Sequence, residues 1–378
     1  MEEALRKLIN GNSETERKKW ALAWKERGGK VIGVIGSYVP AEIILAAGAL
    51  PWRITGSWHP NTPLASVHRS NFAEPYGTHV LESLLEGELD FLDGAVIADW
   101  DVGIRRLWDV WDEQKEAPPA HLLYVPRNLI PPAYDMMAKE LNKMADFIQA
   151  LVGNTITTES LRSTVNLYNK IRTLIMSLYE LRKREVPPLS GAEFLGLTTT
   201  AMVMPPEEFA NQLEALLGYI EHRKNPVKNP RPRILVSSDF LDNPAYIELI
   251  EEAGSLVAMD DLDTGSRQFF QLVDLASEDL ISSLATRYLD SCVAPRTVSW
   301  DEQMEQVIRW VRKFNIDGVI ELPFFSHTRP LRAIMFRDSL NKAGIPNISI
   351  MREYHFANSG QLLTRIQAFL ESIPNKSL

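Results

Sequence analysis

Cysteine is almost missing from this sequence: Cys292 is the only one among 378 residues. A single thiol excludes an internal disulfide and any zinc or iron–sulfur site that the cysteines of this chain would build alone. We expect Cys292 to be a small buried apolar residue. No apolar run approaches the ~18 residues of a membrane-spanning helix, and charges are spread through the first 29 residues. These features predict a cytoplasmic protein with no secretory signal and no membrane span.

Positive charge is also in short supply. Lys and Arg total 40 against 49 Asp and Glu, which gives a formal charge of −9. This balance lacks the positive field of a general nucleic-acid binder. Several motifs are missing as well: no P-loop, H-E-x-x-H, G-x-S-x-G or C-x-x-C pattern occurs, and Gly33-x-x-Gly36 is not a dinucleotide fingerprint. The sequence therefore offers no ATP site of the P-loop type.

What the sequence does contain is an alternation of short apolar runs with helical patterns. Buried strands are predicted at 30–36, 51–56, 93–99 and 121–126, and again at 233–238, 256–261, 317–325 and 347–353. Helical spacing of apolar residues fills the intervals between these runs. Such a rhythm indicates parallel sheets covered by helices. The predicted fold class is α/β, with two Rossmann- or flavodoxin-like domains.

The alternation stops in the middle of the chain. Only helical patterns are found at 132–151, 157–184 and 206–222, with a loop before the last of them. We therefore predict an N-terminal α/β domain over 1–130 with a leading helix at 2–27, a mostly helical segment over 131–225, and a C-terminal α/β domain over 226–378. The stretch 222–233, HRKNPVKNPRPR, indicates a linker, because it is rich in Pro and basic residues and has no acid. A basic strip facing phosphates is the alternative.

Ligands of open α/β sheets bind beyond the carboxyl ends of the strands, often in a cleft between domains. That rule selects residues at the predicted strand ends: Ser37, Tyr38, Ser57, Trp58, Asp99, Trp100, Asp101, Ser237, Ser238, Asp239, Asp260, Asp261, Phe325, Ser326, His327, Arg352 and Glu353. For Asp101 and Asp239, capping of a helix N-terminus is the favoured interpretation.

Two further features of these strand ends leave alternatives open. Asp260, Asp261 and Asp263 could bind a divalent cation, although a solvated acidic turn is favoured. His327 follows a strand and could serve in acid–base chemistry, although a structural role is favoured.

The stretch at 33–56 places Pro and Glu at a helix start, then Ala-Ala-Gly, then a Pro-led strand; its defining residues are Pro40, Glu42, Ala46, Ala47, Gly48 and Pro51. Further distinctive stretches follow at 89–111 and 314–354. A final helix at 359–372 contains Gly360, Gln361, Thr364, Arg365 and Phe369. In their order and spacing, these stretches resemble the subunits of 2-hydroxyacyl-CoA dehydratases and benzoyl-CoA reductases.

This resemblance implies a complex that acts on a CoA thioester. In that family two such subunits pair, each typically holding one [4Fe–4S] cluster, and a separate ATP-dependent activator supplies a low-potential electron. Three cysteines hold the cluster. Their positions here fall within 71–74, best matched by Ala73 or Glu74, then at Trp100, and at Ser326. Because thiolates are absent there, we expect no cofactor bound by this chain alone and a [4Fe–4S] cluster in a partner subunit.

The resemblance also suggests roles for individual residues. Catalytic roles are expected for Ser37, as a hydrogen-bond partner of the substrate, and for Glu74 and His327; substrate contacts are expected for Tyr38, Trp100, Arg105, Phe325 and Ser326. Trp100 offers a ring that can stack on an aromatic or adenine group, and Arg105 or the basic linker offers guanidinium or ammonium groups to CoA phosphates.

Three hypotheses follow. The first is a cluster-free subunit of a dehydratase- or reductase-like complex, with a cluster-bearing paralogue, the activator and a CoA thioester as partners, and neither nucleic acid nor membrane. The second is a non-catalytic assembly or regulatory protein that retains the fold. The third is a metal- or cofactor-dependent enzyme that uses Glu74, His327 and Asp260/Asp261 as polar anchors, although no ligand spacing supports it.

Overall fold

The first of two parallel sheets forms from the N-terminal third of the chain. The computed structural model describes residues 1–69, 74–224, 231–291, 300–324 and 330–374. The strands of this sheet are β1 (Lys30–Ile35), β2 (Ala49–Arg53), β3 (Gly94–Asp99) and β4 (Ala120–Tyr124), in the order β2-β1-β3-β4. Every pairing is parallel, with Gly33 opposite Trp52 and Val34 opposite Val96. Every residue of β3 is buried, as expected for a parallel sheet with helices on both faces.

The second sheet repeats this topology. Its strands are β5 (Arg233–Ser237), β6 (Leu256–Asp261), β7 (Gly318–Glu321) and β8 (Asn347–Ser349), in the order β6-β5-β7-β8. In both sheets the chain adds one strand on one side of the first and then crosses to the other side. The strand order therefore reverses between β1 and β3 and between β5 and β7, where α/β sheets place their ligands. The predicted α/β class with two parallel sheets is confirmed.

Helices cover both sheets. In the first half they are α1 (Glu2–Ile9), α2 (Glu14–Glu26), α3 (Ala41–Ala46), α4 (Ala65–His68), α5 (Pro75–Leu85), α6 (Val102–Glu113), α7 (Pro131–Val152) and α8 (Thr158–Leu181). In the second half they are α9 (Gly191–Thr200), α10 (Pro206–His222), α11 (Ala245–Glu252), α12 (Ser266–Phe269), α13 (Leu280–Ser291), α14 (Trp300–Lys313), α15 (Pro330–Lys342) and α16 (Ser359–Ser372). Within the described ranges, no helix is both long and apolar enough to cross a membrane.

The leading helix predicted over 2–27 is wrong as a single element, because the chain turns between α1 and α2. The turn packs closely on α9: a Cβ on Gly11 would lie 2.5 Å from Cγ2 of Thr200. Helix α9 itself lies where the sequence predicts a loop. It starts with a capping box, in which Ser190 Oγ accepts from the Glu193 amide at 3.1 Å and the Glu193 carboxylate accepts from the Ser190 amide at 3.0 Å. Burial overrides the weak helix propensity of its final threonines.

The two sheets share helices across the sequence. Helix α1 packs with the core of the second sheet, where Leu5 and Leu8 join Leu235 and Leu256. Helix α13, which comes from the second half of the chain, packs beside α7 in the core of the first sheet. Because each half buries a helix from the other, neither half would bury its core alone.

A buried ion pair fixes this arrangement. Arg172 of α8 donates a hydrogen bond to Glu42 of α3, and the hydroxyl of Tyr288 of α13 donates to the same carboxylate at 2.7 Å. Glu42 is wholly buried. Burial alone would raise the pKa of Glu42, but the guanidinium groups of Arg172 and Arg287 and the Tyr288 hydrogen bond hold that pKa below its ordinary value. The ionised pair therefore joins three helices at one point.

Candidate functional site

Trp100 lies at the switch point of the first sheet. It follows the last residue of β3, and its ring lies against Gly36, which follows β1: a Cβ on Gly36 would be 2.7 Å from Cε3 of the indole. Gly36 has a φ of +100°, a conformation that glycine adopts readily. The indole is partly exposed and contacts the apolar cores on both faces of the sheet. It therefore fills the strand end where the resemblance places a cysteine.

Glu74 is the N-cap of α5. Its carboxylate accepts from the backbone amides of Tyr76 at 3.0 Å and Gly77 at 2.7 Å, and the residue is 8% exposed. Asp101 does the same for α6, accepting from the Gly103 amide at 2.6 Å, so its predicted capping role is confirmed. Each oxygen of the Glu74 carboxylate thus already accepts a hydrogen bond from a backbone amide of α5. The predicted catalytic role of Glu74 stays a prediction.

The N-termini of α5 and α6 converge beside Trp100. A Cβ placed on Gly103 would lie 3.1 Å from Cβ of Glu74 and 3.4 Å from Nη2 of Arg69. The Arg69 side chain is buried, and its nitrogens have no hydrogen-bond partner among the described residues. Burial lowers its pKa, although the carboxylates of Glu74 and Asp101 oppose that shift. The structure thus brings together two of the three positions implied by the resemblance, with a cation that sequence reasoning did not find.

The third position lies outside the described residues. The described residues do not include Ala73, Phe325, Ser326 or His327, and the roles predicted for these positions therefore stay predictions. Phe324, the last described residue before them, contributes an isolated bridge to Arg352 and a ring centroid 6.2 Å from that of Tyr354.

Ser37 and Tyr38 follow β1 and are buried. The Ser37 hydroxyl donates to the Asp263 side chain and lies 3.2 Å from its carbonyl oxygen. Arg53, at the end of β2, pairs with the same carboxylate. These contacts connect the carboxyl edge of the first sheet with the loop after β6. The predicted substrate contacts of Ser37 and Tyr38 stay predictions.

Arg105 forms an ion pair within the first sheet. Its Nε donates to Asp99 at 3.1 Å, and its guanidinium lies 5.1 Å from the ring centre of Tyr124. The Asp99 hydrogen bond raises the Arg105 pKa. Arg127 approaches the other oxygen of Asp99 at 3.6 Å. Two half-exposed guanidinium groups thus share one buried carboxylate, and contact of Arg105 with CoA phosphates stays a prediction.

The acidic residues at the end of β6 do not form a solvated turn, so that expectation is wrong. Asp260 is buried and accepts from the Tyr179 hydroxyl at 2.6 Å, while Asp261 is buried against Arg267 with two contacts of 2.8 Å. Their charges are satisfied by the fold, because each carboxylate has its own donors. A cation site at Asp260, Asp261 and Asp263 therefore finds no support in this geometry.

Asp239 does not cap the helix that follows β5, and that prediction is also wrong. Helix α11 begins at Ala245, whose amide donates to the Asn243 side chain at 3.0 Å. Nearby, Arg352 is buried and donates to the Leu322 carbonyl at 3.2 Å. The strand ends of the second sheet are thus held largely by internal hydrogen bonds.

The three arginines of 222–233 have partners, whereas Lys224 is exposed. Arg223 pairs with Glu2 at 3.0 Å and Glu193 at 2.8 Å, and Arg231 pairs with Asp317 at 3.1 Å. Arg233 is buried and donates to backbone carbonyls, including that of Phe314 at 3.1 Å. Lys228 lies outside the described residues. The arginines therefore hold helix and strand ends, which gives no support to a phosphate-facing strip.

A cavity of about 240 Å³ opens between the two sheets. Residues after β2, β5 and β8 line it, together with the α1–α2 turn and α9; they are Ile9, Asn10, Asn12, Ser13, Thr55, Gly56, Ser57, Trp58, Gly196, Thr199, Asp242, Asn243, Pro244, Tyr354 and His355. Of the strand-end residues selected from the sequence, Ser57 and Trp58 are among them. This cavity corresponds to the cleft that the sequence predicts between two α/β units.

Tyr354 closes one wall of the cavity and was not predicted from the sequence. Its hydroxyl accepts from the Gly56 amide at 2.7 Å and donates to Asp242 at 3.3 Å. Its ring stacks on His79, with centroids 4.6 Å apart, and His355 lies 4.8 Å from His79. An aromatic residue and a histidine a few residues beyond β8 were the available signal, since ring and imidazole groups near a strand end often face a ligand.

Two titratable groups here are shifted by their surroundings. Burial raises the pKa of Asp242, although Arg17 and Arg352 oppose the shift. Burial, and then the His355 imidazole, lower the pKa of His79 to about 4. Both shifts favour the neutral form of the group, because burial disfavours the charged form.

Comparison with known proteins identifies the family. Residues 36–373 match the family described as 2-hydroxyglutaryl-CoA dehydratase, D-component. The chain belongs to that family. The resemblance seen in the sequence is therefore confirmed, and the family comprises subunits of dehydratases and reductases that act on CoA thioesters.

Family relatives match along most of their length. A benzoyl-CoA reductase subunit from Thauera aromatica is 27% identical over 355 residues, covering 90% of each chain. The (R)-phenyllactyl-CoA dehydratase beta subunit of Clostridium sporogenes is 24% identical over 368 residues, covering 94% of this chain and 95% of the relative. The beta subunit of (R)-2-hydroxyglutaryl-CoA dehydratase from Acidaminococcus fermentans is 23% identical over 361 residues, with 93% and 94% covered.

The residues of this chain do not fit the [4Fe–4S] cluster that the resemblance implies. Such clusters are held by thiolates, with occasional histidine. At one implied position stands Trp100, which has no ligating atom. At another, best matched by Ala73 or Glu74, alanine offers no ligand and the Glu74 carboxylate caps the N-terminus of α5. The only cysteine, Cys292, lies outside the described residues and away in sequence from all three positions. The donor set thus disagrees with the family's cofactor.

Proposed function

We propose that this chain is a subunit of a complex that dehydrates or reduces a CoA thioester, and that it supports a paralogous partner subunit which holds the [4Fe–4S] cluster. An ATP-dependent activator supplies the electron to that partner. This chain binds no cluster itself. Its role is to complete the thioester site and to hold the partner in place.

The replacement of cluster ligands by structural groups is the observation that carries this proposal. The Trp100 indole packs against Gly36, and the Glu74 carboxylate accepts hydrogen bonds from two amides of α5. A position that had merely lost its ligand would leave an empty space. Here the indole and the capping carboxylate fill this region, and the buried Arg69 guanidinium beside them has no hydrogen-bond partner among the described residues. A site rebuilt in this way is suited to a polar ligand rather than to a metal cluster.

The first experiment is an iron and acid-labile sulfide assay on this chain alone, purified without oxygen. We expect values near zero. The genes beside this one are then searched for a paralogue that carries all three cysteines, and the chain is produced together with it. The joint preparation should hold about four irons, all on the paralogue. About four irons on this chain alone would refute the cluster-free assignment.

Binding of a CoA thioester to the joint preparation tests the catalytic part of the proposal. Trp100→Ala should weaken binding, because it removes the ring that fills the strand end. Trp108→Ala, in the neighbouring helix α6, is the matched control and should leave affinity unchanged. Equal affinity in the presence and absence of this chain would favour the assembly or regulatory protein instead.

A further inference from the structure

We propose that the cavity of about 240 Å³ between the sheets holds the pantetheine arm of the CoA thioester; this inference rests on the proposed function. In a CoA thioester this arm is uncharged between the thioester and the diphosphate, and it carries two amides and one free hydroxyl. The lining residues of the cavity offer hydrogen-bonding groups and include no Lys or Arg, which suits such an arm.

Hydrogen-bonding capacity is concentrated on the α1–α2 turn. The side chains of Asn10, Asn12 and Ser13 line the cavity, and none of them forms a side-chain hydrogen bond with another part of the described chain. Ser13 stands at the N-cap position of α2 yet makes no capping bond. Amide and hydroxyl groups that the fold leaves unused at a cavity wall are available to a ligand with amides and hydroxyls.

The described residues that line the cavity include no Lys and no Arg. Two guanidinium groups lie close by, but both are turned to the protein: Arg17 donates to Thr55 Oγ1 and the Arg53 carbonyl, and Arg352 donates to the Leu322 carbonyl. Asp242 adds a carboxylate to the wall, where it accepts from the Tyr354 hydroxyl at 3.3 Å. A diphosphate would meet this carboxylate and no Lys or Arg among the lining residues, which favours the uncharged arm over the diphosphate end of CoA.

The position of the cavity suits an arm that leads to the strand ends. Tyr354 forms its wall, and the ring of Tyr354 lies 6.3 Å from that of Tyr76 and 6.2 Å from that of Phe324. Tyr76 is two residues after Glu74 and lies in the first turn of α5. A ligand in the cavity is therefore one aromatic ring away from the N-terminus of α5.

The test uses pantetheine and the shorter amide N-acetylcysteamine as probes, titrated calorimetrically into the intact chain. Asn12→Trp fills the cavity and should weaken pantetheine binding by about tenfold or more. Asn12→Leu keeps the volume and removes the amide, and should weaken binding less. Asn142→Trp, at an exposed position of α7, is the matched control and should bind as the parent does. Thermal unfolding confirms that each variant is folded; if Asn12→Trp is not, Asn12→Leu and Ser13→Ala decide.

The outcomes separate the two proposals. Binding of pantetheine that is lost in Asn12→Trp supports this inference. A CoA thioester that binds the parent and Asn12→Trp equally refutes it, because the arm then lies elsewhere, while the proposed function stands. If the joint preparation with the paralogue binds no CoA thioester at all, the proposed function and this inference both fail.

Discussion

The indole of Trp100 occupies the space that a side chain on Gly36 would need. A Cβ at Gly36 would lie 2.7 Å from Trp100 Cε3, closer than real Cβ contacts allow, and Gly36 has a φ of +100°. The two residues end neighbouring strands, β1 and β3, at the point where the strand order reverses. A large ring at one strand end is thus compatible with the fold only while the other remains glycine.

Gly36→Ala should destabilise the protein for two reasons. The positive φ costs about 1 kcal/mol for any residue with a Cβ, and overlap with Trp100 adds about 1–3 kcal/mol. Urea unfolding measures the sum. Gly153→Ala is the control, because Gly153 has a φ of +84° and no described heavy atom within 4 Å of its Cβ position. Equal losses for the two variants would show that Trp100 does not restrict Gly36. Adding Trp100→Ala to Gly36→Ala should recover the overlap energy.

The contact between Ser37, Arg53 and Asp263 gives a second prediction. Asp263→Asn leaves the buried Arg53 guanidinium without a negative partner and should cost about 3–5 kcal/mol in unfolding free energy. Ser37→Ala removes one hydroxyl and should cost about 1 kcal/mol. A Ser37→Ala variant with unchanged stability but weaker thioester binding would instead assign Ser37 to the substrate, as the sequence suggested.

Glu42→Gln should be among the more damaging single changes in the core. It leaves Arg172 as a buried charge without its partner, at a cost of about 3–5 kcal/mol in unfolding free energy. Glu214→Gln removes an exposed partner of Lys170 and is the control, with an expected loss of about 1 kcal/mol or less. Similar urea midpoints for the two variants would contradict the importance of burial here.

The Glu42 carboxylate also makes the free energy of unfolding depend on pH. Because the pKa of Glu42 is lowered in the folded state, the stability that this group contributes is present above its unfolded-state pKa of about 4.3. That contribution is lost as the pH falls through the folded-state value. Glu42→Gln should therefore flatten the acid side of the stability curve.

His79 makes a separate contribution in a different pH range. Its folded-state pKa of about 4 lies below the ordinary histidine value of 6.5, so the unfolded chain takes up a proton first as the pH falls. Stability should drop between pH 6.5 and 4, by up to about 1.4 kcal/mol per unit. Thermal unfolding of His79→Gln should show a shallower slope in that window than the parent. His68→Gln, at an exposed histidine, is the control, and parallel curves for the parent and His79→Gln would refute the effect.

The two sheets are predictable from the sequence alone, because β1, β3, β5 and β6 are almost wholly apolar runs bounded by turn residues. In a folded chain such apolar runs are typical of parallel strands that are buried on both faces of a sheet. The family is predictable in the same way, since the order and spacing of short motifs survive over most of the chain. The capping role of Asp101 could also be predicted, because the Gly103 amide that donates to it is only two residues away in the sequence.

The surroundings of each strand end, by contrast, depend on tertiary packing. The sequence predicted that Asp261 would be solvated. In the structure Asp261 is buried and accepts hydrogen bonds from Arg267 and Ser237, and no local sequence pattern predicts these contacts. Arg69 lies beside Glu74 and Asp101 for the same reason. The cavity draws its wall from the α1–α2 turn, α9 and three strand ends spread over most of the chain. Periodicity reports which face of an element is buried, whereas the partner on that face is set by long-range packing.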